Sequence, residues 1–238
     1  MRLKIKKILN SLGYDINKYP SLEKRRLMKI LELNDINKVI DVGANVGQYG
    51  KNLRRLGYKG VIKSFEPVTN SYNKLYKSTI SDKNWDCYKI ALGNNDSVSV
   101  INISGQSPSS SILKMNKLMV STDTSLKYME SEKIEVKKLD SILYKEINFA
   151  LHDNLFIKID TQGYEQQVLE GATISLDYIR GIQIEMSLVE LYEGEALINS
   201  LIEYMYNKGF VLQGLENGFY NINTLQLYQV DGIFIKSI

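Results

Sequence analysis

The residues from Lys38 to Glu66 restrict what this chain can fold into more than any other stretch. Val39-Ile40-Asp41-Val42 is an apolar run carrying one acid, and Gly43-Ala44-Asn45-Val46-Gly47 is a turn bounded by glycines. Val46–Leu56 has helical spacing, and Gly60–Phe65 reads as a second strand that ends at Glu66. Strand, tight turn, helix and strand in that order make a βαβ unit, which sets two parallel strands side by side. Further along, Asn70–Ile80 reads as a helix and Trp85–Ala91 as a strand. Leu155–Asp160, Gln166–Leu176, Gly181–Glu185 and Leu197–Lys208 continue as strand, helix, strand and helix. The class is therefore α/β with a mostly parallel sheet.

Two sections depart from this rhythm. Between Gly93 and Lys138, Ser97–Ser104 alternates like a strand, Gln106–Ser111 reads as a polar mobile loop, and Ile134–Leu139 reads as another strand, so an insertion or an antiparallel edge is expected. At the end, Phe210–Leu215 and Val230–Lys236, joined through Gly218, read as an antiparallel hairpin on the sheet edge. Ahead of the alternation, Ser21 can cap a helix with Glu23 in its first turn and Leu22, Leu27, Met28, Ile30, Leu31 and Leu33 at helical spacing. The expected organisation is a basic helical extension over 1–35 and one large domain over 36–238.

With 44% hydrophobic and 24% charged residues the chain has the make-up of an ordered globular protein. Its single cysteine, Cys87, makes no internal disulfide, and no Cys and His pattern has zinc-site spacing, so a reducing cytoplasmic setting is expected. No run approaches the ~18 apolar residues of a membrane span, and no apolar signal core follows the first basic residues. The net charge of +3 is too small to imply nucleic acid, but residues 1–38 hold ten basic and four acidic residues. Leu3, Ile5, Ile8, Leu9 and Leu12 are interleaved with these charges. Two readings follow: an arm lying on an anionic surface such as the inner membrane face, or a solvated helix face packed on the main domain.

A helix amino terminus behind a glycine turn offers free amide groups, and Gly43 lets a backbone approach a ligand without a Cβ in the way. Gly47 permits close packing of helix on strand. Glu66 stands 25 residues after Asp41 at a strand end, where a carboxylate can accept from both ribose hydroxyls, so a nucleoside-bearing cofactor is expected. Dinucleotide turns usually carry three glycines, whereas only two are present here, with Ala44-Asn45-Val46 between them. A cofactor without a pyrophosphate fits better.

At these residues the chain resembles S-adenosylmethionine-dependent methyltransferases, and more narrowly the FkbM family. The resemblance covers about residues 36–236. It rests on Asp41-Val42-Gly43-Ala44-Asn45-Val46-Gly47-Gln48-Tyr49, Phe65-Glu66-Pro67, Ala91-Leu92-Gly93, Ser109-Ser110-Ser111, Phe156-Ile157-Lys158-Ile159-Asp160-Thr161-Gln162-Gly163-Tyr164-Glu165, and Val168-Leu169-Glu170-Gly171-Ala172. It implies a Rossmann-like class I methyltransferase fold with a seven-stranded sheet. It implies too that Asp41, Gly43, Ala44, Asn45 and Gly47, with Gln48 and Tyr49, line the methionine end of the cofactor. Glu66 with Pro67 would meet the ribose, and Ala91 and Leu92 the adenine; Asp160, at the end of the buried run Phe156–Ile159, should emerge as a cofactor contact beside the expected methyl group. The family frequently has Val-Glu-Gly where this chain has Thr161-Gln162-Gly163.

In open parallel sheets ligands lie beyond the carboxyl ends of the strands, which makes Asp160 and Glu185 the candidate catalytic carboxylates. Asp160 has a second reading as an acceptor for turn amides and a helix cap. Asp231, inside an apolar strand, needs a partner. His152, the only histidine, lies eight residues before Asp160, up to ~26 Å away at ~3.3 Å per residue, and reads as a loop residue. Ser109, Ser110 and Ser111 can contact a sugar or form only a flexible loop. Gln162 and Tyr164 in the following turn, and Glu190 and Tyr192 in a segment able to cover the pocket, complete the expected acceptor contacts, with surface charge and capping as their alternative.

The expected function is methyl transfer to oxygen, with a sugar hydroxyl of a glycan, polysaccharide or glycolipid, or another small molecule, as acceptor. A divalent metal held by two or three of Asp160, Glu185 and Asp231 is a less favoured variant. A nicotinamide-dependent sugar oxidoreductase and a non-catalytic membrane-docking adaptor are the rivals. A homodimer stays open, and no nucleic-acid partner is expected.

Overall fold

The structure, a computed structural model, describes residues 12–13 and 19–237. Most of the basic arm, including Leu3, Ile5, Ile8 and Leu9, lies outside the described residues. In chain order, α1 (Leu22–Leu33) precedes β1 (Lys38–Val42), α2 (Gln48–Arg55), β2 (Val61–Phe65), α3 (Thr69–Thr79) and β3 (Trp85–Tyr88). The inserted section holds β4 (Ala91–Leu92), β5 (Ser97–Ser104), α4 (Lys117–Thr122) and β6 (Tyr128–Lys137). Then come α5 (Leu139–Ile142), β7 (Leu155–Ile159), α6 (Glu165–Glu170), β8 (Ile179–Ser187), α7 (Ile198–Asn207), β9 (Phe210–Asn217) and β10 (Gln229–Lys236).

Seven strands form one sheet in the order β3-β2-β1-β7-β8-β10-β9, with β10 antiparallel to both of its neighbours. The chain runs outward from β1 to β3 and then returns to pair β7 against the other side of β1. That reversal opens a crevice beyond the carboxyl ends of β1 and β7. The expected α/β class, the parallel core and the terminal antiparallel hairpin are all present.

Every residue of β1 and β7 is buried, because helices cover both faces. Ile40, Val42, Ile157, Ile159, Ile182 and Ile184 share one cluster, while Val39, Phe156 and Ile233 pack on the other face against Leu27 and Leu31 of α1 and Leu53 of α2. Strand alternation then directs Asp41 and Lys158 to the α1 and α2 face. The 1–35 boundary divides the sequence but not the packing, since Leu27 and Leu31 belong to the core. No helix among the described residues is long and apolar enough to cross a membrane.

The stretch expected as one strand over Trp85–Ala91 is divided: β3 pairs with β2, while β4 belongs to a second sheet ordered β4-β6-β5. β6 begins at Tyr128, earlier than expected, and Leu139 starts a helix instead of ending a strand. α6 stops at Glu170, short of Leu176. Beyond it the chain continues through turns and a 3-10 helix at Ser175–Asp177, and at Gly171 a Cβ would lie 1.9 Å from the carbonyl oxygen of Gly93, so only glycine fits at the end of α6.

Candidate active site

The glycine turn after β1 is built by left-handed residues, Gly43 (φ 77), Asn45 (φ 46) and Gly47 (φ 83). A Cβ on Gly43 would stand 1.8 Å from the backbone oxygen of Asp160. The tight approach is therefore to the end of β7, a constraint added to the expected role of Gly43 beside a ligand. Gly47 behaves as expected: a Cβ there would come 2.9 Å from Leu75 on α3 and 3.3 Å from Trp85 on β3.

Glu66 is buried at the end of β2, where Oε2 accepts from Asn45 N and Oε1 from Val68 N, both at 2.8 Å. Burial pushes its carboxyl up to about 7 against the pull of these two amides. Asp41 is fully buried and accepts from Ser64 Oγ at 3.2 Å through Oδ2, while Oδ1 has no partner. Burial raises the Asp41 carboxyl to about 6, and the ammonium of Lys158 opposes the rise.

Two cavities adjoin here. The first is walled by Phe65, Glu66, Val68, Leu92, Ile101 and Ile112; the second is polar and walled by Asp41, Gln48, Tyr49, Asn52 and Lys158. Gly43, Asn45, Pro108 and Asp160 line both. Of the expected cofactor residues only Gly47 lines neither, because it packs behind the turn. S-adenosylmethionine fits this donor set: the apolar walls suit adenine, the Glu66 carboxylate suits a ribose, and the orphaned Asp41 Oδ1 suits a methionine ammonium.

Above the cavities passes the segment Gln106–Ser110, which is not a free loop. Ser107 Oγ donates to Asn45 Oδ1 at 3.0 Å and lies 2.7 Å from Ser71 Oγ. Gln106 Nε2 donates to Asp123 Oδ2 at 3.1 Å, and Ser104 N to Ser110 Oγ at 3.2 Å. Local polar composition hid these partners, which come from four separate elements.

Asp160 and Glu185 do come together. Gln162 Nε2 donates to Asp160 Oδ1 at 2.9 Å and to Glu185 Oε2 at 2.6 Å, while Gln229 Nε2 donates to the same Oε2 at 2.9 Å. Lys158 Nζ lies 2.5 Å from Asp160 Oδ2. Burial works against charge on Asp160, but Lys158 outweighs it and holds this carboxyl below its usual range. Glu185 goes the other way: burial first, then the charge of Asp160, raise it well above the usual range. The two neighbouring carboxyls are thus pushed in opposite directions, Asp160 towards the ionised form and Glu185 towards the protonated one.

The expected acceptor contacts separate in the structure. Ser110, Gln162 and Tyr164 line the first cavity. Ser111 is buried, donating to the Gln162 carbonyl at 2.6 Å, and Ser109 is buried as well. Tyr192 is completely buried with its hydroxyl 2.7 Å from Gln162 Oε1, so it cannot touch an acceptor directly. Glu190 is exposed and caps Gly194 N at 2.9 Å, the bland alternative. His152 is an exposed turn residue at the far end of β7, as expected.

Among the described residues no three His, Cys, Asp or Glu side chains gather as metal ligands. Asp231 stands opposite Glu185 in register, yet both oxygens of Asp160 and Oε2 of Glu185 are taken by Lys158, Gln162 and Gln229, all donors. This donor set does not fit a divalent ion. Sequence reasoning missed Lys158, Gln229 and Ser107 as site residues. Lys158 had a signal, an ammonium inside the apolar run Phe156-Ile157-Lys158-Ile159, which demands a buried carboxylate partner.

A structure from Klebsiella pneumoniae assigned as an O-methyltransferase matches 98% of this chain and 89% of its own at 10% identity, with a TM-score of 0.51. A Streptococcus pneumoniae structure assigned as a tRNA (m1A22) methyltransferase, in complex with S-adenosyl-L-methionine, matches 90% of this chain and 72% of its own at 11% identity, with a TM-score of 0.50. At such identities the likeness shows the fold, a Rossmann-like methyltransferase sheet. No curated protein sequence matches the chain. The model of the methyltransferase FkbM domain, however, matches residues 41–212, from the acid before the glycine turn to the start of β9. The chain therefore belongs to the FkbM family of S-adenosylmethionine-dependent methyltransferases.

Proposed function

We propose that the protein transfers the methyl group to an oxygen nucleophile, with a sugar hydroxyl of a glycan, polysaccharide or glycolipid as acceptor and Asp160 as the base. One observation carries this reading: Asp160 is the carboxyl that lines both cavities and is paired with the Lys158 ammonium, which favours its ionised form, whereas Glu185 lines neither cavity and is pushed towards its neutral form by burial and by Asp160. A hydroxyl needs such a base more than an amine does, because its proton must leave as the new bond forms. S-adenosylmethionine bound across the two cavities supplies a methyl group already activated by the sulfonium. Asp160 takes the hydroxyl proton while the O–CH3 bond forms and the S–CH3 bond breaks, the electron pair passing to sulfur. Tyr164, Ser110 and the Asp160 carboxylate orient the acceptor, and much of the rate comes from that alignment.

The polar character of the crevice rim, with serine hydroxyls, tyrosine and amides, supports a hydroxyl-rich acceptor. Incubation with methyl-labelled S-adenosylmethionine and a panel of saccharides, phenols and amines tests the reading. A product carrying O–CH3 on a saccharide is expected; transfer to amines or phenols alone, with saccharides left untouched, overturns it.

A further inference from the structure

Gln162 occupies the left-handed region (φ 56) just before Gly163 (φ 94). A non-glycine residue stays there only where its surroundings hold it. The side chain is 8% exposed and bonded at both ends. Oε1 accepts from the Tyr192 hydroxyl at 2.7 Å, and Nε2 reaches Asp160 and Glu185 at 2.9 and 2.6 Å. Turned round, the amide would set its oxygen against two carboxyl groups.

Tyr192 is itself fixed. Its backbone N donates to Glu195 Oε1 at 3.0 Å, Glu195 Oε2 accepts from Ser187 Oγ at 2.8 Å, and the ring packs with Met119, Leu126, Leu191 and Tyr228. With water excluded, the amide oxygen of Gln162 is the near acceptor for the phenol, the Ser109 carbonyl being 3.5 Å away.

We propose that Tyr192 and Gln162 are a positioning pair: the phenol fixes which way round the amide lies, and the amide N–H2 clamps the Asp160 and Glu185 carboxyls side by side. Glu185 Oε2 accepts from both Gln162 and Gln229, so the carboxyl is held from two sides. The groups facing the pair are Lys158 on β7, Asp231 on β10 and Glu165 on α6, with Asp41 on β1 facing Lys158. Of these, Lys158 alone is cationic, and it bonds Asp160 only. The amide is therefore what joins the two carboxyls. Neither Tyr192 nor Gln162 exchanges a proton with the acceptor.

This inference deepens the reading of Asp160 as base, yet it is measurable without an acceptor. Protein labelled with 13C at the Asp and Glu carboxyls is titrated by NMR as wild type, Tyr192→Phe, Gln162→Met and the double variant, each checked for an unchanged fold and S-adenosylhomocysteine binding. Loss of the N–H donor should raise the titration of Asp160 by about one pH unit, a tenfold gain in proton affinity. Tyr192→Phe should move it the same way, and the double variant should move it no further than Gln162→Met does. An Asp160 titration unmoved in Gln162→Met, or additive shifts in the double variant, overturns the clamp. Shifts as expected together with no transfer to any hydroxyl leave the clamp standing and remove the base reading, so the two failures are distinct.

Discussion

Glu66 ties two loops together before any ligand arrives, since its carboxyl oxygens accept from Asn45 N behind β1 and Val68 N ahead of α3. Each oxygen keeps a further lone pair for a ribose hydroxyl. Glu66→Ala should weaken S-adenosylhomocysteine binding by about 1.5–3 kcal/mol, measured by calorimetry, because charge-assisted hydrogen bonds are lost. An intact fold with unchanged affinity would refute the ribose assignment. Because burial raises Glu66 to about 7, the carboxyl gains a proton and loses acceptor strength as pH falls through neutrality. Affinity of the wild type should therefore drop with falling pH, and Glu66→Gln should flatten the dependence. At Gly43, a Cβ 1.8 Å from the Asp160 carbonyl requires β1 and β7 to part. Gly43→Ala should cost roughly 2–3 kcal/mol, or about 4–12 °C in melting temperature, even without cofactor. A normal melting temperature with lost binding would instead mean that the turn is shaped by the ligand.

Among the elements, the strap Gln106–Ser110 has the least of its own structure and the most outside partners. Its Ser107 hydroxyl joins it to Asn45 in the turn after β1 and to Ser71 on α3, beside the cavities that Pro108 lines. Ser107→Ala should speed S-adenosylhomocysteine release by about fivefold, as expected for loss of about one net hydrogen bond, with little change in melting temperature. Stopped-flow displacement reads the rate, and an unchanged rate means that the strap does not gate the cavity. The βαβ unit over Lys38–Glu66 was legible because its signals are local: apolar strands, positive-φ glycines and an acid at a strand end. β6 was read only from Ile134 because its first half, Tyr128–Lys133, is largely solvent-facing and lacks apolar alternation. The division between β3 and β4 depends on pairing with β6, some 45 residues later in the chain, which no local pattern displays. The carboxyl clamp was half legible. Asp160 and Glu185 were visible as strand ends, but Gln162, Tyr192 and Gln229 each look ordinary until the sheet and the covering turn converge.

At the scale of the whole molecule, the site concentrates acids whose folded titrations are raised by burial: Asp41 to about 6, Glu66 to about 7 and Glu165 to about 7. The unfolded chain releases these protons near the ordinary carboxylate range, whereas the folded chain keeps them to higher pH. Between those limits the native state binds more protons, so stability is fully present below about pH 4 for these groups and declines as pH rises to about 7. Asp160, held low by Lys158, acts in the opposite sense and loses its contribution only in stronger acid. The free protein should therefore melt at a higher temperature near pH 5.5 than at pH 7.5. Glu66→Gln, which stays neutral throughout, should remove part of that difference. If Glu66 meets the ribose hydroxyls and Asp41 the cationic ammonium, cofactor binding favours the ionised forms. Saturating S-adenosylhomocysteine should then raise the melting temperature more at pH 7.5 than at pH 5.5, because stabilisation by a ligand grows with its affinity for the folded state. Scanning calorimetry with and without S-adenosylhomocysteine at the two pH values decides it. An equal or larger increment at pH 5.5 would show that these buried carboxyls do not face the ligand, and the cofactor would have to lie elsewhere in the crevice.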